Sequence, residues 1–224
     1  MKNISKLKFL AVLTMVAMTA LLLPLQIAAQ APPPRPGQTQ PAPPPRPGTP
    51  PAQPAQPVVQ WATNLPANVD VMIQTAVAPS NSTAGFWDLP GASGWRNGAK
   101  FQLWDMGGAE NTMADRRFRF EHQGDGWYII RSNAHGVVDV PEGGVAVNGT
   151  QLTVYDRHGR NNQRFRFRHV SNGEYVIQTA AGKYLHVGGG NNSNNGSGVV
   201  IWDGDSPTWR LYVQDGLNIR QWRP

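Results

Sequence analysis

One pattern recurs three times over the last 155 residues of the chain, and it limits the fold more than any other feature. A first element reads Trp87-Asp88-Leu89, then Val138-Asp139-Val140, then Leu185-His186-Val187. Nine residues after each central position stands an Asn-Gly pair: Asn97-Gly98, Asn148-Gly149 and Asn195-Gly196. Seven residues after that Asn comes an aromatic followed by Asp: Trp104-Asp105, Tyr155-Asp156 and Trp202-Asp203. A later stretch alternates bulky apolar residues with Arg, as Phe118-Arg-Phe120, Phe165-Arg-Phe167 and Trp209-Arg-Leu211. Ten residues beyond its first aromatic come Tyr128, Tyr175 and Ile219. The strand that starts a unit reads Val71-Met-Ile73-Gln74-Thr75, Tyr128-Ile-Ile-Arg131-Ser132 and Tyr175-Val-Ile177-Gln178-Thr179. Asp88 and Asp139 are 51 positions apart, Asp139 and His186 are 47 apart, and the four-residue difference falls within residues 106–115.

Each unit reads as about four short strands with period-2 patterning, and Asn-Gly suits the φ > 0 positions of a tight hairpin. No stretch sustains a helical stripe over three turns. A unit of about fifty residues cannot bury an adequate core alone, and without cysteine or metal three independent domains would each be too small. A propeller needs more blades. The pattern therefore predicts an all-β fold, a β-trefoil of about twelve short strands with a pseudo-threefold axis, its units at approximately 70–125, 126–172 and 173–218. Phe118, Phe120, Phe165, Phe167, Trp209 and Leu211 are its expected core.

The 66 residues ahead of this domain have other textures. Residues 1–29 read as a secretory signal, with Lys2, Lys6 and Lys8 before an apolar run over 9–25 and Ala28-Ala29 offering small residues for cleavage. The run is short for a permanent span, so no stable membrane span is expected after cleavage. Residues 30–66 read as a proline-rich linker. Ala31-Pro-Pro-Pro-Arg35-Pro-Gly37 recurs as Ala42-Pro-Pro-Pro-Arg46-Pro-Gly48, and 13 prolines lie between Pro32 and Pro57. Such a tract favours an extended polyproline spacer with a reach of about 80 Å. Export without cysteine suggests a secreted or periplasmic bacterial protein. The formal charge of +6 comes mostly from these segments. From Asp70 onward there are 15 Lys+Arg against 14 Asp+Glu, which does not indicate capture of a polyanion, so no nucleic-acid partner is expected.

Taken together, Val138-Asp139-Val140 with its counterparts, the three Asn-Gly turns, Trp104-Asp105, Trp202-Asp203 and Asn162-Gln163-Arg164-Phe165 resemble the ricin-B-type β-trefoil lectins. The last run is a variant of that family's Gln-x-Trp signature, with Phe165 in place of Trp, and it is intact only in the second unit. The resemblance covers roughly residues 69–222 and implies a non-catalytic carbohydrate-binding module with a glycan or polysaccharide as partner and no cofactor. It also implies site residues. In the first unit Asp88 matches the sugar-binding carboxylate, Gln102 the polar residue two before the platform, and Trp104 the aromatic platform, while Asp115-Arg116 departs from the Asn-Gln pair. In the second unit Asp139 matches the carboxylate, Tyr155 the platform, and Asn162 and Gln163 the pair, with Thr153 standing where Gln102 stands. In the third His186 replaces the carboxylate, Val200 the polar residue and Pro207 the Gln, although Trp202 remains.

These residue types suit a pyranose, which presents vicinal hydroxyls and one apolar face to a shallow, solvent-facing pocket. They also have structural uses, because short carboxylates and Asn fit turns and Gln163 can support the repeat junction by hydrogen bonding. Other chemistry is thin. His122, His135, His158, His169 and His186 lack metal-ligand spacing, Asp203-Gly-Asp205 lacks the rest of a calcium loop, and no nucleophile elbow or phosphate loop occurs. Arg164, Arg166 and Arg168 alternate with core aromatics and read as a solvated face. Two readings stand at this point: a secreted lectin-like module, and a β-trefoil protein-interaction or inhibitor domain with vestigial sugar pockets, whose partner is another envelope or extracellular protein.

Overall fold

The computed structural model describes residues 59–91, 95–107, 114–141, 147–205, 207–215 and 218–224. The signal segment, the Pro32–Pro57 tract and most of the four-residue insertion lie outside the described residues.

Six strands close into a barrel: β1 (Val71–Thr75), β4 (Phe118–His122), β5 (Trp127–Ser132), β8 (Phe165–Ser171), β9 (Glu174–Thr179) and β12 (Trp209–Asp215). Each pairs antiparallel with the next, and β12 returns to β1 through Val71↔Val213 to Thr75↔Trp209. The closure leaves no open barrel edge. Three hairpins cap one end: β2 (Phe86–Asp88) with β3 (Gln102–Trp104), β6 (Val137–Asp139) with β7 (Thr153–Tyr155), and β10 (Tyr184–Val187) with β11 (Val199–Trp202). Each hairpin joins the barrel at the same register, by Gln74↔Phe86, Arg131↔Val137 and Gln178↔Tyr184. This is the β-trefoil that the repeat predicts. A thirteenth strand, β13 (Asn218–Gln221), extends β12 and carries Ile219.

The alternation read from sequence sorts the barrel as expected. Phe118, Phe165 and Trp209 are fully buried, and Phe120, Phe167 and Leu211 pack beside them in the same cluster. Each such ring contributes about 1.5–3 kcal/mol by leaving water. Trp87 fills in the first unit what Val138 and Leu185 fill in the others, and it meets Trp209 edge-on at 5.4 Å and Phe118 at 5.7 Å.

The repeated Asn and Asp have one joint role. Asn97 Nδ2 donates to Asp156 at 2.7 Å, Asn148 Nδ2 to Asp203 at 2.9 Å, and Asn195 Nδ2 to Asp105 at 3.1 Å. Every Asn-Gly turn thus clasps the Asp that follows the aromatic of the next unit in cyclic order. The backbone closes the same ring on the axis, Phe101 N to Leu152 O, Leu152 N to Val199 O, and Val199 N to Phe101 O. Gly98, Gly149 and Gly196 supply positive φ at the turns, where other residues would be strained.

Residues 59–66, the described end of the stretch read as linker, pack on the domain. Ala62 N donates to Phe167 O at 2.7 Å, Leu65 is buried in the core, and Arg166 stacks over the Trp61 ring at 3.8 Å. Trp222 N makes the equivalent bond to Leu211 O in the third unit. The arginine row is therefore not simply solvated: Arg166 also bonds Gln178, and Arg168 pairs with Asp205.

Candidate functional site

An open cavity of about 1120 Å³ lies against the second-unit hairpin. Asp139, at the end of β6, forms part of its wall and is only 3% exposed. Its Oδ2 accepts from Asn162 Nδ2 and Gln163 Nε2, each at 2.9 Å, and lies 3.4 Å from His158 Nε2. Its Oδ1 has no partner among the described residues. Burial pushes the Asp139 carboxyl above its ordinary value of 3.8, against the opposing pull of Gln163, His158 and Asn162.

The donors are themselves fixed. Asn161–Gln163 is a single 3-10 turn, which sends Asn162 and Gln163 toward the hairpin. Gln163 is fully buried: its Oε1 accepts from His158 N and Gly159 N, and its Nε2 also donates to Asp156 O. It has no surface for a ligand and instead holds Asp139 and the 156–159 loop together. Asn162 also bonds Val140 O and lines the cavity. Tyr155, at the end of β7, is 42% exposed and lines the same cavity. A Cβ at Gly136 would sit 2.2 Å from Tyr155 O, so only glycine lets β6 begin this close to the end of β7.

The first unit brings its expected residues together differently. Asp88 Oδ2 accepts from Gln102 Nε2 at 2.9 Å, across the β2–β3 register. Its Oδ1 accepts from Arg116 Nε, also at 2.9 Å, in a salt bridge whose side chains are 6% and 5% exposed. Arg116 stands on the turn Ala114–Arg116, where Gln163 stands in unit two, and further bonds Asp105 O. Both carboxylate oxygens are thus engaged by protein. Trp104 remains 37% exposed. In the third unit His186 Nε2 bonds Gly204 O at 2.9 Å, and Trp202 is exposed.

Lys100, Gln151, His158 and Arg160 also line the cavity, and sequence reasoning did not select them. Lys100 belongs to the first unit in sequence but bridges Thr153, the residue opposite Asp139, so it reaches the second site only through the cap. Among the described residues no group of three metal-ligating side chains occurs, and no helix is long and apolar enough to cross a membrane.

Fold and site together define a β-trefoil with an open pocket lined by a buried carboxylate and an exposed aromatic. No protein-family model matches the chain, and no curated protein does. Among solved structures it is similar to a designed threefold-symmetric protein, ThreeFoil, at 22% identity and a TM-score of 0.52, over 63% of this chain and 96% of that one. An exo-β-1,3-galactanase from Clostridium thermocellum aligns at 19% identity and a TM-score of 0.56, over 67% of this chain and 31% of that one. A Polyporus squamosus lectin bound to a human-type influenza-binding epitope aligns at 16% identity and a TM-score of 0.50, over 66% of this chain and 50% of that one. At these identities the likeness establishes the threefold β architecture.

Proposed function

We propose that this protein is a non-catalytic, lectin-like carbohydrate-binding module of the ricin-B type, and that the second-unit cavity is its principal sugar site. The observation that carries the reading is Asp139. Asn162, Gln163 and His158 hold one oxygen, while the other has no described partner in a cavity beside an exposed tyrosine. A buried, oriented acceptor and a flat ring are what a sugar hydroxyl pair and its apolar face require. Tyr155 is the platform, Asn162 offers its amide oxygen at the wall, and Gln163 positions the carboxylate. Asp88, Gln102 and Trp104 form a secondary candidate, weaker because Arg116 already occupies Asp88.

A glycosidase needs two acids about 5–9.5 Å apart, and among the described residues Asp139 is the single carboxylate lining this cavity. The family resemblance at the Asn162-Gln163 turn supports binding rather than hydrolysis. Residues 1–29 and 30–57 suit export and a spacer, which would hold the module at the cell exterior or in the periplasm.

Calorimetric titration of the full chain with galactose-, xylose- and mannose-containing oligosaccharides tests the reading. The expected dissociation constant is about 0.1–10 mM per simple sugar, as befits a few water-exposed hydrogen bonds. Absence of binding to all of them at about 20 mM, above the weak end of that range, overturns it and leaves the protein-contact reading.

A further inference from the structure

We propose that the second-unit cavity selects glycans bearing an anionic group, a carboxylate above all, with Lys100 and Arg160 as its receptors. The inference rests on the carbohydrate reading and narrows it to a ligand class.

The cap places a different residue over each site from the preceding unit. The backbone bridges are Lys100↔Thr153 over unit two, Gln151↔Val200 over unit three, and Gly198↔Gln102 over unit one. Of these three bridging residues Lys100 alone is a cation, and it lines the second site. Arg160, which also lines the cavity, precedes the turn that carries Asn162, and its third-unit counterpart by position is Gly204.

Of the two lysines among the described residues, Lys183 is held by Asp203 at 2.6 Å and by Asn148 at 2.9 Å, whereas the Lys100 amine has no partner among the described residues. Arg157 pairs with Glu121, while the Arg160 guanidinium has no partner among the described residues. Both side chains are exposed and both line the cavity. The contrast with unit one is one of placement. There the cation, Arg116, lies inside and neutralises Asp88. In unit two the inner position is the uncharged Gln163, and the cations stand at the wall, where a ligand can meet them.

The cavity volume of about 1120 Å³ exceeds the usual 300–1,000 Å³ of a small-molecule site, so it suits more than one sugar ring. Asp139 can accept a hydroxyl of one ring while Lys100 and Arg160 receive the acid of the same or a neighbouring ring. A planar carboxylate fits the guanidinium fork, and a sulfate ester shares the charge but not the planar geometry.

The test titrates the full chain with matched pairs: a glucuronate-capped against a glucose-capped disaccharide, and galactose 6-sulfate against galactose. The acidic member of the first pair is expected to bind about 3- to 10-fold more tightly at low salt, the gain of two exposed ion pairs. That ratio should fall toward one at about 0.5 M NaCl. It should also fall toward one in Lys100→Ala/Arg160→Ala, and be retained in Lys100→Arg. A larger preference for sulfate than for carboxylate would overturn the carboxylate assignment. Equal affinity for neutral and acidic members overturns the inference and leaves the lectin reading standing. A preference that survives the double substitution overturns the two receptors. Absence of binding by every probe removes both the inference and the reading beneath it.

Discussion

Units one and two carry the same carboxylate at the same place in the same hairpin, and the molecule uses it in opposite ways. Asp88 is closed off between Gln102 and Arg116, one donor per oxygen. Asp139 has its donors on one oxygen only, and the other has no partner among the described residues. A single exchange on the 3-10 turn, Arg116 for Gln163, accounts for much of the difference. A buried guanidinium satisfies a carboxylate and stabilises the fold locally. A buried amide orients a carboxylate without cancelling its charge. The first arrangement is a structural brace, and the second leaves an acceptor oxygen without a described partner, as the proposed sugar site requires.

The largest expected effect breaks the brace. Arg116→Ala leaves Asp88 buried without its cation and should cost about 3–5 kcal/mol of stability, read by urea unfolding. A loss under 1 kcal/mol would mean that the pair is solvated and that Asp88 is no more closed off than Asp139.

The next effect concerns the receptor. Asp139→Asn keeps an acceptor for Asn162 and Gln163 but turns an amide toward the sugar. It should lower affinity about 10- to 100-fold, the cost of a hydrogen bond to a charged group, with the chain still folded by circular dichroism. His186→Ala, in the third unit, should leave sugar affinity unchanged.

Acidification sharpens the same contrast. Burial raises the folded pKa of Asp139 above 3.8, so the folded chain holds a proton there that the unfolded chain has released. This group's contribution to stability is therefore fully present below the unfolded value and is lost as pH rises through the folded one. Sugar binding runs the other way, because the acceptor must be ionised. Affinity should fall on acidification with a midpoint above 3.8, and a midpoint at or below that value would contradict the burial argument.

A smaller effect is expected at the ring of clasps. Asn195→Ala removes the bond to Asp105 and should cost about 1 kcal/mol, with Asn97→Ala and Asn148→Ala a few tenths more because His135 and Lys183 also bond those two side chains, read by urea unfolding. Equal costs would show that the added contacts contribute nothing beyond the clasps.

The fold was legible because its evidence was redundant. Asn97, Asn148 and Asn195 stand at one offset from their aromatics, and a wrong strand register would have to fail three times together. The same repeat did not reveal that each Asn meets the Asp of the next unit, since partners 59, 55 and 90 positions apart meet only after closure. The departure at Asp115-Arg116 was visible as a broken motif, yet its meaning as a brace depends on distance and burial. Lys100 and Arg160 gave no signal because they belong to different units and converge only in the folded cap. Arg166 was misread as solvated for a related reason: Trp61, over a hundred positions earlier, lies beneath its guanidinium.

The central claim is that unit two, not unit one, is the principal sugar receptor. Amide chemical-shift mapping of the full chain during titration with a bound oligosaccharide tests it without any substitution. The account predicts saturable shifts centred on Asp139, Tyr155 and residues 158–162, with those at Asp88, Gln102 and Trp104 smaller and saturating at higher sugar concentration. Shifts that appear first at Asp88 and Trp104, or none at either site, would contradict it.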